Sequence, residues 1–66
     1  MEGVTRNPQQ VIEINKGRQI RQSRYFDLAE GREMLLRVVC EERRAQLFVI
    51  TAYRTSRIPK YWVKEV

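Results

Sequence analysis

Two neighbouring segments, residues 33–41 and 47–57, are rich in apolar and β-branched residues that sort onto two faces at a period of two, which suits buried strands. In the first, Met34, Leu36, Val38 and Cys40 share a wholly apolar face, and Leu35, Arg37, Val39 and Glu41 share the other. In the second, Phe48, Ile50 and Ala52 share an apolar face, while Leu47, Val49, Thr51 and Tyr53 form a face that turns polar partway. A face that changes character along one strand is expected where a sheet meets something at its exposed end. The second segment closes on Arg54-Thr55-Ser56-Arg57, basic and rich in hydroxyls.

Matching the apolar faces registers the two strands, because a one-residue slip would set Phe48 and Ile50 opposite polar positions. The loop that matches them is Arg43 to Ala45. It sets Val38 opposite Ile50, Cys40 opposite Phe48, Leu35 opposite Tyr53 and Arg37 opposite Thr51. Arg37, Thr51 and Tyr53 then cluster on one outward face. A two-residue shift that moves Thr51 opposite Leu35 stays open.

Two further strands precede this hairpin. Val11 to Asn15 has Ile12 and Ile14 on one face, and Asn15-Lys16-Gly17 reads as a tight turn with Gly17 free to take positive φ. A three-residue loop there sets Ile12 opposite Ile20. Arg18 to Asp27 alternates poorly, with Gln22 and Arg24 on the face of Ile20 and Phe26; a bulge or an edge position would account for it. Leu28 to Arg32 reads as a turn at Gly31, or as a short helical turn. The expected fold is mainly β: a four-stranded antiparallel meander with little or no helix, in one domain over residues 1–66. Residues 1–8 form a loose lead, 9–57 the sheet, and 58–66 an aromatic and basic tail that begins where Pro59 ends the last strand.

Sixty-six residues build only one small core. With Cys40 the only cysteine and no histidine, neither an internal disulfide nor a zinc ligand set is present, so no metal or cofactor is expected. Cys40 reads as a small buried hydrophobe rather than a reactive thiol. A partner chain is the remaining stabiliser, and a homo-oligomer that shares the apolar face or a sheet edge is expected. No apolar run spans a membrane, residues 1–10 lack the core of a signal peptide, and the lone cysteine fits a cytoplasmic setting.

The charge is uneven. Residues 1–33 carry six basic and five acidic groups, and residues 34–66 carry seven and three, within a net +5. Arg54, Arg57, Lys60 and Lys64 stand in a stretch without an acid, interleaved with Tyr61 and Trp62. Such a segment attracts RNA or another polyanion, although a solvated basic tail has the same composition. Trp62 is either packed on the sheet or offered as a stacking platform.

Arg24-Tyr25-Phe26, Leu35-Leu36-Arg37-Val38-Val39 and Val49-Ile50-Thr51-Ala52-Tyr53-Arg54-Thr55 resemble the sheet half of small bacterial domains similar in plan to RelE/ParE-like toxins. Those belong to the barnase–EndoU–colicin–RelE ribonuclease-like fold group. The resemblance covers about residues 8–57, and its most specific part is Thr-Ala-Tyr at the end of a strand. Members usually carry one or two helices before the sheet, often with a histidine. This chain has no histidine, and its first ten residues read as too short for a stable helix.

The resemblance implies a metal-independent endoribonuclease acting on RNA, with an acidic antitoxin as a partner. Activating a 2′-hydroxyl needs a base, the phosphorane needs cations and the leaving oxygen needs an acid. Arg37, Thr51 and Tyr53 are the candidate catalytic residues: Arg37 for phosphate charge, Thr51 as a hydrogen-bond donor, and Tyr53 as acid or stacking ring. Arg24, Arg54, Arg57, Lys60 and Trp62 are the candidate substrate contacts. The same residues are also ordinary for an exposed strand face. The second class of function is a non-catalytic module that binds nucleic acid or protein and oligomerises through its sheet.

Overall fold

The computed structural model describes residues 7–64. Four strands, β1 (Gln10–Asn15), β2 (Arg18–Asp27), β3 (Arg32–Arg43) and β4 (Gln46–Thr55), form one antiparallel sheet in the order β1-β2-β3-β4. A four-residue helix, α1 (Ile58–Tyr61), follows. The fold is thus the expected meander with one short helix added. Of the expected lead, residues 1–6 lie outside the described part. No described helix is long and apolar enough to cross a membrane.

The core sits on β3, the longest strand, where Leu35, Val38 and Cys40 are fully buried and Met34 nearly so. Cys40 is therefore the buried hydrophobe its strand position suggested. Burial pushes its thiol pKa up, and Arg21 acts more weakly in the opposite direction.

The first hairpin sets Ile12 opposite Ile20 and Gly17 at φ 79° as expected, but Asn15 pairs with Arg18, so the loop is the two residues Lys16 and Gly17 rather than three. The register shifts between Glu13 and Asn15, so Ile14 has no partner on β2. The Gly17 carbonyl accepts a 2.7 Å hydrogen bond from the Glu42 amide, tying this turn to β3. At the second turn, the Gly31 amide donates to the Asp27 carbonyl at 2.8 Å and the Glu30 amide to Asp27 Oδ1 at 3.0 Å. That is a single helical-type turn closed by a glycine at φ 68°.

The β3–β4 register differs from the face-matching expectation. The loop is two residues, Arg44 and Ala45, at φ 49° and 63°, the pair of positive angles that a type I′ hairpin turn requires. A loop one residue shorter than expected reverses the parity of β4, so Phe48 falls opposite Glu41, on the Arg37 face, and Val49 falls opposite Cys40. A bulge at Ile50, which has no partner on β3, restores the parity. Beyond it Val39 faces Thr51, Val38 faces Ala52, Arg37 faces Tyr53 and Leu35 faces Thr55. Beyond the bulge the strand is displaced by two residues from the expected alignment, and Phe48 does not join the Met34–Cys40 face.

β2 is neither an edge strand nor bulged against β3; it pairs without interruption from Arg18 to Asp27. Its weak alternation has another cause, the segment that crosses its Gln22 face.

Candidate functional site

One row of paired residues crosses all four strands: Gln10, Gln22, Arg37 and Tyr53. Paired residues in a sheet project to the same side, so four polar side chains meet in line. Gln22 Nε2 donates to Gln10 Oε1 at 2.7 Å, and Gln22 Oε1 accepts from Arg37 Nε at 3.0 Å. Arg37 Nη1 donates to the Tyr53 hydroxyl at 2.5 Å. Gln22 is 0% exposed and Arg37 7%. Polar groups this deep are costly unless paired, and this row pairs them in sequence.

The cover is the C-terminal segment. Pro59 suits the first turn of α1, where its missing N–H is not needed. The Arg57 amide donates to Thr55 Oγ1 at 3.1 Å, and the Trp62 amide closes the helix on the Ile58 carbonyl at 2.8 Å. The Tyr61 carbonyl accepts from Gln22 Nε2 at 3.2 Å, and the Tyr61 ring lies 4.2 Å from the Arg37 guanidinium carbon. Val63 then meets Gln10 reciprocally: Gln10 Nε2 donates to the Val63 carbonyl at 2.6 Å, and the Val63 amide donates to Gln10 Oε1 at 3.1 Å. Trp62 receives Arg24 over its ring at 5.1 Å. The expected tail is a strap clamped across the sheet.

Of the candidate catalytic residues, Arg37 and Tyr53 come together and Thr51 does not. Thr51 is exposed on the same face but sits opposite Val39, with no hydrogen bond to either. Arg37 was expected to face outward; it is buried beneath Tyr61, and its guanidinium is held by Gln22, Tyr53 and two aromatic rings. Tyr53 is 41% exposed, and its oxygen accepts from Arg37, which leaves the hydroxyl proton available to donate.

The candidate contact residues also divide. Arg24 is paired with Glu33, and Arg54 with Asp27 at 2.9 Å. Tyr25, followed by Asp27, favours the charged form of Arg54. Arg57, Lys60 and Lys64 make no ion pair among the described residues, and Lys60 lies 5.4 Å from the Tyr61 ring. The unpaired cations of this face therefore sit on the strap, beside Trp62. Sequence reasoning missed Gln10 and Gln22; for Gln22 the available signal was its place on the same β2 face as Ile20 and Phe26.

The described residues contain no cavity and no group of three or more His, Cys, Asp or Glu placed to hold a metal. The chemistry on offer is cationic and aromatic, with one phenol that can give a proton. Comparison with family models, with curated proteins and with solved structures finds no match for this chain.

Proposed function

We propose that the chain binds single-stranded RNA along its C-terminal strap, with Arg57, Lys60 and Lys64 meeting phosphates and Trp62 offering a ring for a base. The observation that supports this reading is the anchoring of an acid-free, aromatic segment onto the sheet by the Gln10–Gln22–Arg37 row. A segment already ordered loses little entropy when it meets a ligand, and base stacking with phosphate contacts is the usual way to hold a single strand. Trp62 is the only tryptophan, so its fluorescence reports on this segment alone. Titration with an RNA oligonucleotide at low salt should change that signal. Three phosphate contacts to a single strand imply a logarithmic salt slope of about −2. A signal that stays flat at low salt overturns the proposal.

The second reading is cleavage of the bound strand, as the resemblance to RelE-like ribonucleases implies. The specific support is the Tyr53 hydroxyl, fixed by Arg37 on the strap side of the sheet and free to protonate a leaving oxygen. In this reading Arg37 is a positioning residue. Incubation of the folded chain with a mixed RNA decides it: intact RNA leaves the binding module alone.

A further inference from the structure

β4 is an edge strand with an unusual exposed surface. Natural edges are blunted by charge, proline or bulges; Leu47 to Tyr53 has neither charge nor proline, and its one such device is the bulge at Ile50. Phe48, Val49 and Ile50 follow one another at 47%, 48% and 46% exposure, and Tyr53 adds 41%. The other edge, β1, is six residues long, carries exposed Glu13, and has its first residue engaged by Val63. Apolar side chains are exposed elsewhere on the sheet too, Val11 and Ile14 of β1 at 50% each and Phe26 of β2 at 62%, but among the described strands only β4 sets three of them in succession.

We propose that this border is where a second copy of the chain adds, β4 against β4 in antiparallel fashion, to make a continuous eight-stranded sheet. The uncharged run is centred on Ile50, and a two-fold axis there pairs Leu47 with Tyr53, Phe48 with Ala52 and Val49 with Thr51. The one charged residue of the strand, Arg54, falls opposite Gln46, so no like charges meet. A partner that is the same surface, self-complementary about two-fold symmetry, is the commonest closed assembly.

The exposed area agrees. The chain exposes 5175 Å², against about 4,500 Å² for a compact monomer of 8.0 kDa. The excess is close to the ~800 Å² that each partner gives to an interface of standard size. The bulge at Ile50 bends the strand at the axis, so the pairing consists of two short ladders flanking it. Because residues paired across strands project to one side, both straps lie on the same side of the joined sheet.

Light scattering on the full chain at high micromolar concentration, without RNA, tests this directly. The expected mass is that of a dimer. Ile50→Lys, at an exposed position with no β3 partner, should keep the circular dichroism of the wild type and weaken self-association about 100-fold, since it sets two cations together at the axis. Leu28→Lys, in a loop at 89% exposure, should remain dimeric. Ile50→Cys should give a disulfide-linked dimer under mild oxidation, while buried Cys40 stays reduced. A monomeric wild type overturns the proposal, as does a dimer that Ile50→Lys leaves intact or that Ile50→Cys fails to cross-link. Association only with a different protein also overturns it.

Discussion

Arg37 donates to the Tyr53 hydroxyl from the facing position of the neighbouring strand, at 2.5 Å, while Tyr61 lies against its guanidinium. A buried cation with no carboxylate partner among the described residues is held by neutral acceptors and ring faces alone. Arg37→Ala leaves Gln22 Oε1 without its donor in a site closed to water. It should cost about 2–4 kcal/mol of stability, measured by urea unfolding. Arg37→Lys should recover only part, since an ammonium cannot reach Gln22 and Tyr53 from one rigid plane. Both variants as stable as the wild type would refute the buried-row description.

Tyr53→Phe separates chemistry from folding. It removes one hydrogen bond and keeps the ring, so stability should fall by about 1 kcal/mol. RNA binding by the strap should be unchanged. If the wild type cuts RNA, this variant should lose about 100-fold or more in rate, the usual cost of removing a general acid. Equal cutting by both proteins removes Tyr53 from the chemistry.

The strap cations should differ from the paired arginines. Arg57→Ala and Lys60→Ala should each reduce the salt slope of RNA binding by about 0.7. Arg54→Ala should leave the slope nearly unchanged, because Asp27 already neutralises that guanidinium. Equal losses at all three positions would mean that the polyanion site extends along β4.

Cys40 gives the fold an alkaline limit. Its thiol pKa is raised in the folded state from the ordinary 9.0, chiefly by burial. Above 9.0 the unfolded chain loses this proton first, so the native state binds more protons and stability falls as pH rises. Urea midpoints should decline through this range, and Cys40→Ala should decline less. Identical pH profiles for the two proteins would show that the thiol takes no part.

Ala45 holds a positive φ of 63° without being glycine. Ala45→Gly should stabilise the hairpin by about 0.5–1 kcal/mol, the left-handed penalty less the extra entropy of glycine in the unfolded chain. A lowered melting temperature would argue against the two-residue turn.

Strand identity and order were legible because Met34, Leu36, Val38 and Cys40 alternate without a break, and Gly17 and Gly31 mark two of the turns. The β3–β4 register was not, because its two departures compensate. The short turn at Arg44-Ala45 reverses the parity and the bulge at Ile50 restores it, leaving a two-residue displacement that keeps Thr51 and Tyr53 on the expected side. Neither signal stands out locally, since arginine and alanine are poor markers of a type I′ turn and isoleucine is a good strand former.

Burial of Arg37 was also illegible. An arginine alternating with Leu35 and Val39 reads as solvent-facing unless the residues that cover it are known, and Tyr61 lies far along the chain. The aromatic density of Tyr61-Trp62-Val63 did signal docking, but not its place. Gln10 and Gln22, which determine that place, look unremarkable in a polar chain.

The clasp between Gln10 and Val63 joins positions 53 residues apart, whereas every strand pairing joins neighbours in the meander. Hairpins can close early along such a chain, since each needs only a short loop, while this clasp must wait for the whole sheet to be laid down. Contacts that form after the rate-limiting step do not set how fast a protein folds; they set how long it stays folded. Weakening the clasp should therefore shorten the lifetime of the native state and leave the refolding rate untouched.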